Sequence, residues 1–229
     1  MVSGVRITLT AYTASFRVPS FVGHQLTLPV PSLATVYGML SAAAGQWVRP
    51  DDVAWLAFRC EYAAKATDLE AIVAIERSKP QDTPSPKTRN VIQREFLVLP
   101  QLTLYLPTNW RASFERPRYA LLLGRTQDIA AVESMMPVTM EDVEAGQVSG
   151  VLLPLELVVE NQASAWLHNL PVAFTDDPHR RLLGMRVFGV LHAKRPPAWI
   201  RAPGWLARDG NDGSVVPLYR QGWMRDVSQ

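Results

Sequence analysis

The chain has 229 residues, of which 48% are hydrophobic and 19% charged, and its formal net charge is +2. A chain of this size and composition can bury a substantial core, and no apolar run approaches the 18 or so residues of a membrane span. Its only cysteine, Cys60, excludes a disulfide framework and a cysteine-rich zinc site, so we expect a soluble cytoplasmic protein.

The charges are placed unevenly along the chain. Residues 1–127 carry 14 Lys/Arg and 9 Asp/Glu, residues 128–165 carry none and 7, and residues 166–229 carry 9 and 5. Nineteen of the 23 cations are arginine, whose planar guanidinium suits phosphate contacts and stacking on bases. A GC-rich genome also raises arginine content, but the segregation indicates two basic surfaces separated by an acidic element.

The N-terminal part predicts a strand, a polar loop, a helix and a second strand. Apolar residues alternate with polar ones over 5–11 and again over 56–64, which predicts two half-buried strands. Between them, Ser32 is a suitable N-cap and Gly45 a suitable C-terminal stop for a helix over 32–44. The loop therefore lies beside a helix N-terminus, where free N–H groups and the helix dipole favour a phosphate.

A proline-rich insertion interrupts the strands that follow. Residues 69–75 predict a third strand, joined to the second by a hairpin at 66–68. Residues 78–93 contain three prolines and almost no apolar periodicity, so they cannot be a buried element. They are either an ordinary surface loop or an extended hairpin or arm that lies along a nucleic-acid backbone.

The segment after the insertion predicts strands and a second helix. Strand character returns at 96–106 and at 119–123. Thr126 can cap a helix that places Ile129 and Val132, with Met136, on one face.

The order of elements predicts the fold class. It fits an α+β sandwich of the ferredoxin-like kind with an insertion, over residues 1–146, followed by a smaller β-rich C-terminal region over residues 147–229. Strands of that region are expected at Val151–Val159, Met185–His192 and Val215–Tyr219.

The sequence offers little catalytic chemistry. Its four histidines have no partner at metal-ligand spacing, and phosphate-loop, dinucleotide and nucleophile-elbow motifs are absent, so we expect no metal and no cofactor. His24 with Tyr37, or Tyr12, are isolated candidates for acid–base cleavage of RNA, without a cluster of base, acid and phosphate clamp. The chain is therefore predicted not to be an enzyme.

Four sequence blocks, spread over most of the chain, carry a resemblance to a known family. They are SFRVPSF…QLTLPVPSLATVYGMLSAAAG at 15–45, REFLVLPQLTLYL at 94–106, YALLLGRTQDIAAVE at 119–133 and LPVAF at 170–174. The pattern resembles the Cas-five family, the RAMP-type subunit that caps the 5′ handle of the CRISPR RNA in type I Cascade complexes. The combination of LGRTQDIA with LPVAF is most similar to the type I-B branch.

The resemblance implies an RRM-like, ferredoxin-like sandwich with a thumb at about 78–93 and a smaller β-rich C-terminal region. It implies a non-catalytic, RNA-binding subunit of an antiviral ribonucleoprotein complex. This subunit would bind the CRISPR RNA and contact the terminal backbone subunit, of the Cas-seven kind, and the large subunit. Target DNA would be met only through the assembled complex, and no membrane is involved.

The same resemblance implies which residues face the RNA. It assigns handle contacts to the loop and the first turns of the helix, thumb contacts to the insertion, and one phosphate contact to the LGR block. The residues are Ser15, Arg17, Gln25, Thr27, Ser32, Thr35, Tyr37, Lys87, Arg89, Arg94 and Arg125.

A type I-C branch of the family instead cuts precursor RNA with a Tyr, Lys and His set. No adjacent Lys-His pair exists in this sequence, which argues against that activity. Because Tyr37 and His24 are present, a metal-independent endoribonuclease stays the alternative.

Overall fold

Antiparallel strands form most of the fold, seen in a computed structural model that describes residues 1–19, 23–76, 83 and 85–226. The elements in chain order are β1 (Val2–Ala11), β2 (Thr13–Ala14), β3 (Phe16–Arg17), β4 (His24–Gln25), β5 (Thr27–Leu28), α1 (Leu33–Ala44), β6 (Trp55–Glu61), β7 (Ala64–Glu76), β8 (Ser85–Val98), β9 (Gln101–Pro107), α2 (Arg111–Glu115), β10 (Leu121–Leu122), β11 (Ile129–Val148), β12 (Val151–Pro154), α3 (Leu155–Glu160), β13 (Trp166–Phe174), β14 (Leu182–Leu191), β15 (Ala198–Asp209), β16 (Val215–Pro217), β17 (Tyr219–Arg220) and α4 (Gln221–Asp226). The prediction of a mixed helix and strand fold is confirmed, with strands dominant.

The largest sheet runs in the order β16-β15-β11-β1-β9-β6-β17, with every neighbouring pair antiparallel. The predicted first strand is confirmed as β1, and its alternating Val5, Ile7 and Leu9 are buried. The two end strands, β16 and β17, are separated in the chain by Leu218 alone. The sheet is therefore nearly closed on itself.

Helix α1 covers one face of this sheet, as its sequence predicts. Leu33, Val36 and Leu40 are buried in the core cluster that also holds the alternating residues of β1. Ser32 is the N-cap, and Gly45 ends the helix with a φ of 74°, in the left-handed region that favours glycine. The sequence was sufficient to predict α1 because each cap residue acts on the helix turn next to it.

The predicted helix after Thr126 is wrong, because residues 129–148 form the 20-residue strand β11. β11 pairs with β1 on one side and with β15 on the other. A register shift opposite Thr8 and Leu9 interrupts the alternation of apolar and polar residues along β11. The resulting spacing of apolar residues resembles that of a helix. Ile129 and Met136, expected on a buried face, are exposed.

A long hairpin replaces the predicted turn and most of the predicted insertion. β7 runs without a break from Ala64 to Glu76, so the turn expected at 66–68 is wrong. β8 pairs with it from Val98 back to Ser85, which makes residues 85–93 a strand. Residues 78–82 and 84 of the insertion lie outside the described residues. The hairpin forms the extended arm that was one of the two expectations for this segment.

The C-terminal strands agree in part with the predictions. β14 matches the expected 185–192 strand, whereas the expected 151–159 strand ends at Pro154 and continues as α3. Of the strand expected over 119–123, only the two residues of β10 are in strand conformation. The predicted domain boundary at 146/147 falls within β11 and stays a prediction. Among the helices that the structure describes, none is long and apolar enough to cross a membrane.

Candidate nucleic-acid groove

A groove with a volume of about 980 Å³ lies between α1, the segment 15–19 and the far end of the β13–β14 hairpin. We call it the helix groove. Its polar and aromatic lining comprises Ser15, Phe16, Arg17, Ser32, Thr35, Tyr37, Ser41, Gln46, Trp47, Tyr119, Phe174 and Arg180. Three stretches that are far apart in the sequence meet here, because α1 packs against β13 and β10.

Backbone contacts clamp the 15–17 segment at the rim of the helix groove. Strand β3 pairs with β5, and the Phe16 N–H donates to Thr27 Oγ1 at 2.8 Å. The Ser15 N–H donates to the Leu123 carbonyl at 3.1 Å. Gly124 makes this approach feasible, because its φ is 110° and a Cβ there would lie 2.0 Å from the Ser15 carbonyl oxygen. The glycine of the LGR block thus has a packing role that requires this residue type.

The N-terminus of α1 opens into the groove. Ser32 Oγ accepts from the Thr35 N–H at 3.3 Å and lies 3.1 Å from Thr35 Oγ1. The first turn contains no acidic residue, so nothing in that turn offsets the positive end of the helix dipole. Two hydroxyls and a partial positive charge therefore face the groove together, a combination that favours an anionic group.

Two exposed cations, Arg17 and Arg180, also line the groove. Within the part of the chain that the structure describes, neither Arg17 nor Arg180 has a carboxylate within ion-pair distance. The Arg180 guanidinium lies over the Trp47 ring, 5.6 Å from its centre. Trp47 is itself held by a hydrogen bond from its indole Nε1 to the Phe174 carbonyl at 3.1 Å. The groove thus combines free cations with a fixed aromatic ring.

Five of the predicted RNA-facing residues line the helix groove: Ser15, Arg17, Ser32, Thr35 and Tyr37. The Tyr37 hydroxyl is turned inward and donates to Met224 Sδ at 2.7 Å. Burial, together with the negative charges of Asp51 and Asp52, raises the pKa of this phenol well above its ordinary value. In this structure Tyr37 contributes to the wall of the groove through its ring.

Gln25 and Thr27, two other predicted contacts, are buried away from the groove. The Thr27 N–H donates to Glu95 Oε2 at 3.2 Å, and Thr27 Oγ1 accepts from the backbone of β3. Gln25 lies on β4, beside Arg94 of β8, and its Nε2 is buried without a partner among the described residues. Their contacts with RNA stay predictions, and in this fold the Thr27 side chain is hydrogen-bonded within the loop.

The basic residues predicted outside the loop are distributed over the arm and the LGR turn. Arg94 forms an ion pair with Glu70 across the β7–β8 hairpin. Lys87 and Arg89 have their backbones in β8, and their side chains lie outside the described residues. Arg94 is not among the groove-lining residues of the described chain. The RNA contacts of all three residues stay predictions.

Arg125 is held by Asp128 rather than presented to the groove. Its Nε and Nη2 donate to the two carboxylate oxygens at 2.9 and 2.8 Å, and Thr13 Oγ1 donates to Oδ1 at 2.6 Å. Burial of Asp128 favours its neutral form, but the hydrogen bonds from Arg125 and Thr13 outweigh burial and lower its pKa. The hydrogen bond to Asp128 in turn raises the pKa of Arg125. This ion pair stabilises the turn that carries Gly124.

Several groove residues were not predicted from the sequence, chiefly Ser41, Trp47, Tyr119 and Arg180. Arg180 belongs to the DDPHRR turn, which reads as a solvated turn when tertiary contacts are unknown. A usable signal was Trp47, because a tryptophan two residues beyond a helix stop must find a partner outside its own helix.

Among the described residues, no group of three or more His, Cys, Asp or Glu side chains is placed to hold a metal ion.

Comparison with known proteins adds information on the fold. Neither a protein-family model nor a curated protein matches the sequence. The fold is shared with CRISPR-associated proteins. A chain of a CRISPR RNA-guided surveillance complex matches with a TM-score of 0.54 and 17% identity, over 98% of this chain and 99% of that one. Two chains of the type III-B Cmr-beta complex bound to cognate target RNA, one of them also with AMPPnP, match with TM-scores of 0.55 and 0.57. These two have 12% and 10% identity over 86% of each chain.

Proposed function

We propose that this protein is an RNA-binding subunit of a CRISPR RNA-guided effector complex, of the RAMP-type Cas-five kind found in type I Cascade and closest to its I-B branch. The observation that carries the proposal is the end-to-end match of its fold with a chain of a CRISPR RNA-guided surveillance complex, at 98% and 99% coverage. The sequence blocks that resemble the Cas-five family support the same assignment. Three of these blocks, at 15–45, 119–133 and 170–174, contribute residues to the helix groove.

The helix groove is the proposed site for the 5′ handle of the CRISPR RNA. Arg17 and Arg180 supply charge-assisted contacts to phosphates, and the hydroxyls of Ser32 and Thr35 add donors at the helix N-terminus. Trp47, with Arg180 over its ring, provides an aromatic and guanidinium surface on which a splayed base can stack. Recognition of an RNA end by stacking and phosphate contacts is the usual chemistry for unpaired nucleotides.

The rest of the fold is assigned in the same proposal. The largest sheet with α1 corresponds to the RRM-like sandwich, and the β7–β8 arm corresponds to the thumb. Leu69, Val73 and Val91 of the arm are exposed although they are apolar. Such a surface suits contact with the neighbouring backbone subunit or the large subunit, since isolated strands rarely expose adjacent aliphatic residues without a partner.

The subunit is proposed to hold RNA without cutting it. Cleavage of RNA without a metal requires a base for the 2′-hydroxyl and an acid for the leaving oxygen. Tyr37 points its hydroxyl at Met224, and His24 is not among the groove-lining residues of the described chain. Incubation of the purified protein with precursor RNA in EDTA tests this part: specific cleavage would establish the endoribonuclease alternative.

The capping role is tested by assembling the complex with CRISPR RNA and probing its 5′ handle with nuclease. We expect the wild-type subunit to protect the handle, and the double substitution Arg17→Ala, Arg180→Ala to expose it. The salt slope is the steepness with which the logarithm of the binding constant falls with the logarithm of the salt concentration. Loss of two phosphate contacts with single-stranded RNA lowers this slope by about 1.4. The matched control is Arg208→Ala, an exposed arginine of β15 that is not part of the groove. A handle that stays accessible in the wild-type complex, or protection that survives the double substitution, would contradict the proposal.

A further inference from the structure

A second concave surface lies at the other end of the β13–β14 hairpin. It has a volume of about 450 Å³ and is lined by Tyr62, Lys65, Trp166, His192 and Lys194, with two alanines between the first two. Trp166 begins β13 and pairs with Val190 of β14, which brings the indole next to His192 just beyond that strand. We call this surface, together with Arg195, the aromatic basin.

The aromatic basin and the helix groove share no lining residue. The groove includes Phe174 and Leu182, which pair at one end of the hairpin, whereas Trp166 pairs at the opposite end. Along β13, Phe174 is eight positions from Trp166, about 26 Å, and Leu170, the groove-lining residue nearest to Trp166 on this strand, is four positions away, about 13 Å. Substitutions in one surface should therefore leave the other intact.

The basin has a rigid aromatic floor. The Tyr62 hydroxyl is hydrogen-bonded to His192 Nε2, and the ring centres of Tyr62 and Trp166 lie 5.3 and 5.7 Å from that of His192. The Lys194 N–H donates to His192 Nδ1 at 2.9 Å, which fixes the orientation of the imidazole. Burial and the neighbouring cations Lys65, Arg195 and Lys194 lower the pKa of His192. At neutral pH the ring is therefore an uncharged spacer between the two other aromatic rings.

The charge of the basin is positive and largely unneutralised. None of its lining residues is acidic. Lys65 is paired with Glu95 at 3.1 Å, but Lys194 and Arg195 have no carboxylate within ion-pair distance among the residues that the structure describes. Arg195 lies over the Trp166 ring at 5.3 Å, and Lys194 lies 6.0 Å from the centre of the Tyr62 ring. Each free cation is thus placed beside an aromatic ring.

This combination fits nucleic acid better than a protein partner. Phosphates complement the two free cations, and an exposed indole and a guanidinium plane stack on unpaired bases of any sequence. Trp166 is 42% exposed, so its surface is accessible to a base. A stable protein interface would instead bury about 800 Å² on each partner with few charges at its core, and this basin is small and rimmed by cations.

We infer that the aromatic basin binds a single-stranded nucleic-acid segment at a second site, with a base on the Trp166–Arg195 surface and phosphates on Lys194 and Arg195. This site is independent of the one in the helix groove. It gives the protein two contacts for nucleic acid, one at each end of the same hairpin.

The test uses the full chain and fluorescein-labelled hexanucleotides, oligo-U and oligo-dT, in the Arg17→Ala, Arg180→Ala background. Removing the groove cations makes the result independent of the handle proposal. We expect Trp166→Ala to weaken the remaining binding about 5- to 150-fold, the range for loss of one stacked base. Lys194→Ala with Arg195→Ala should lower the salt slope by about 1.4. Stronger binding of one oligonucleotide would identify the segment as RNA or DNA.

Trp199→Ala and Arg208→Ala are the matched controls, because they remove an exposed tryptophan and an exposed arginine of β15 outside the basin. Trp166→Phe retains an aromatic face and should recover most of the affinity, which separates stacking from a folding defect. If Trp199→Ala or Arg208→Ala weakens the remaining binding as much as the basin substitutions do, the inference is overturned. So would unchanged binding in the basin variants accompanied by loss of complex assembly, since that result would identify a protein contact.

Discussion

Removal of the Asp128 carboxylate should destabilise the protein strongly. The carboxylate is fully buried and accepts four hydrogen bonds, from the Arg125 backbone N–H, from Arg125 Nε and Nη2, and from Thr13 Oγ1. Deletion of one partner of a buried ion pair costs about 3–5 kcal/mol, because the other charge is left uncompensated. The Arg125 side chain retains 14% exposure and can reach some water, so we expect Asp128→Ala to cost about 3 kcal/mol.

The assay is equilibrium unfolding in urea, supported by thermal unfolding. For a chain of this length, about 3 kcal/mol corresponds to a fall in Tm of about 6–12 °C. The control is Glu115→Ala, which removes the exposed ion pair with Arg111 on α2 and should cost at most about 0.5 kcal/mol. The double variant Asp128→Ala, Arg125→Ala should be less destabilised than the sum of its single substitutions, since no unpaired charge remains. A loss below about 1 kcal/mol for Asp128→Ala would refute the assignment of this pair as a structural clamp.

Three further predictions concern the same region and α1. Ser32→Ala should cost about 1 kcal/mol through loss of the N-cap, whereas Ser32→Gly should cost only a few tenths in the same denaturation assay. Gly124→Ala should lower both Tm and handle protection, because its Cβ would collide with the Ser15 carbonyl; a variant with unchanged Tm would contradict the close approach. The lowered pKa of Asp128 stabilises the fold above its unfolded pKa of about 3.9, and this stabilisation is lost as pH falls through the folded pKa. The Tm difference between wild type and Asp128→Ala should therefore shrink below about pH 4, and a constant difference down to pH 2 would argue against the linkage.

Elements with local causes could be predicted from the sequence. α1 was correct to within one residue because Ser32, Gly45 and the apolar spacing all act inside one short segment. β11 could not be predicted, since its alternation is broken by a register shift opposite β1 that arises from strand pairing. The arm was partly predicted: the prolines argued against a buried element at 78–93, but Ile92 is buried, and only pairing with β7 makes residues 85–93 a strand.

The groove likewise contains residues that could be predicted from the sequence and residues that could not. Arg17, Ser32 and Thr35 were predicted because the block at 15–45 that holds them resembles the family's RNA-facing segment, and all three line the groove. Arg180 comes from a turn about 150 residues away, and no local pattern connects it with Trp47. Burial also could not be read from polarity, as Thr27 shows, because a threonine hydroxyl is equally satisfied by backbone partners inside a loop.

The nearly closed sheet has a consequence for the order of folding. Tyr219 of β17 pairs with Leu56 of β6, 163 positions earlier in the chain. Contacts of such sequence separation form late and slowly, because the entropy of closing the intervening chain is lost before the pairing stabilises it. During synthesis, the outer edge of β6 therefore stays unpaired until almost the whole chain has been made. We expect a folding time in the millisecond to second range, with formation of the β6–β17 pair among its last steps.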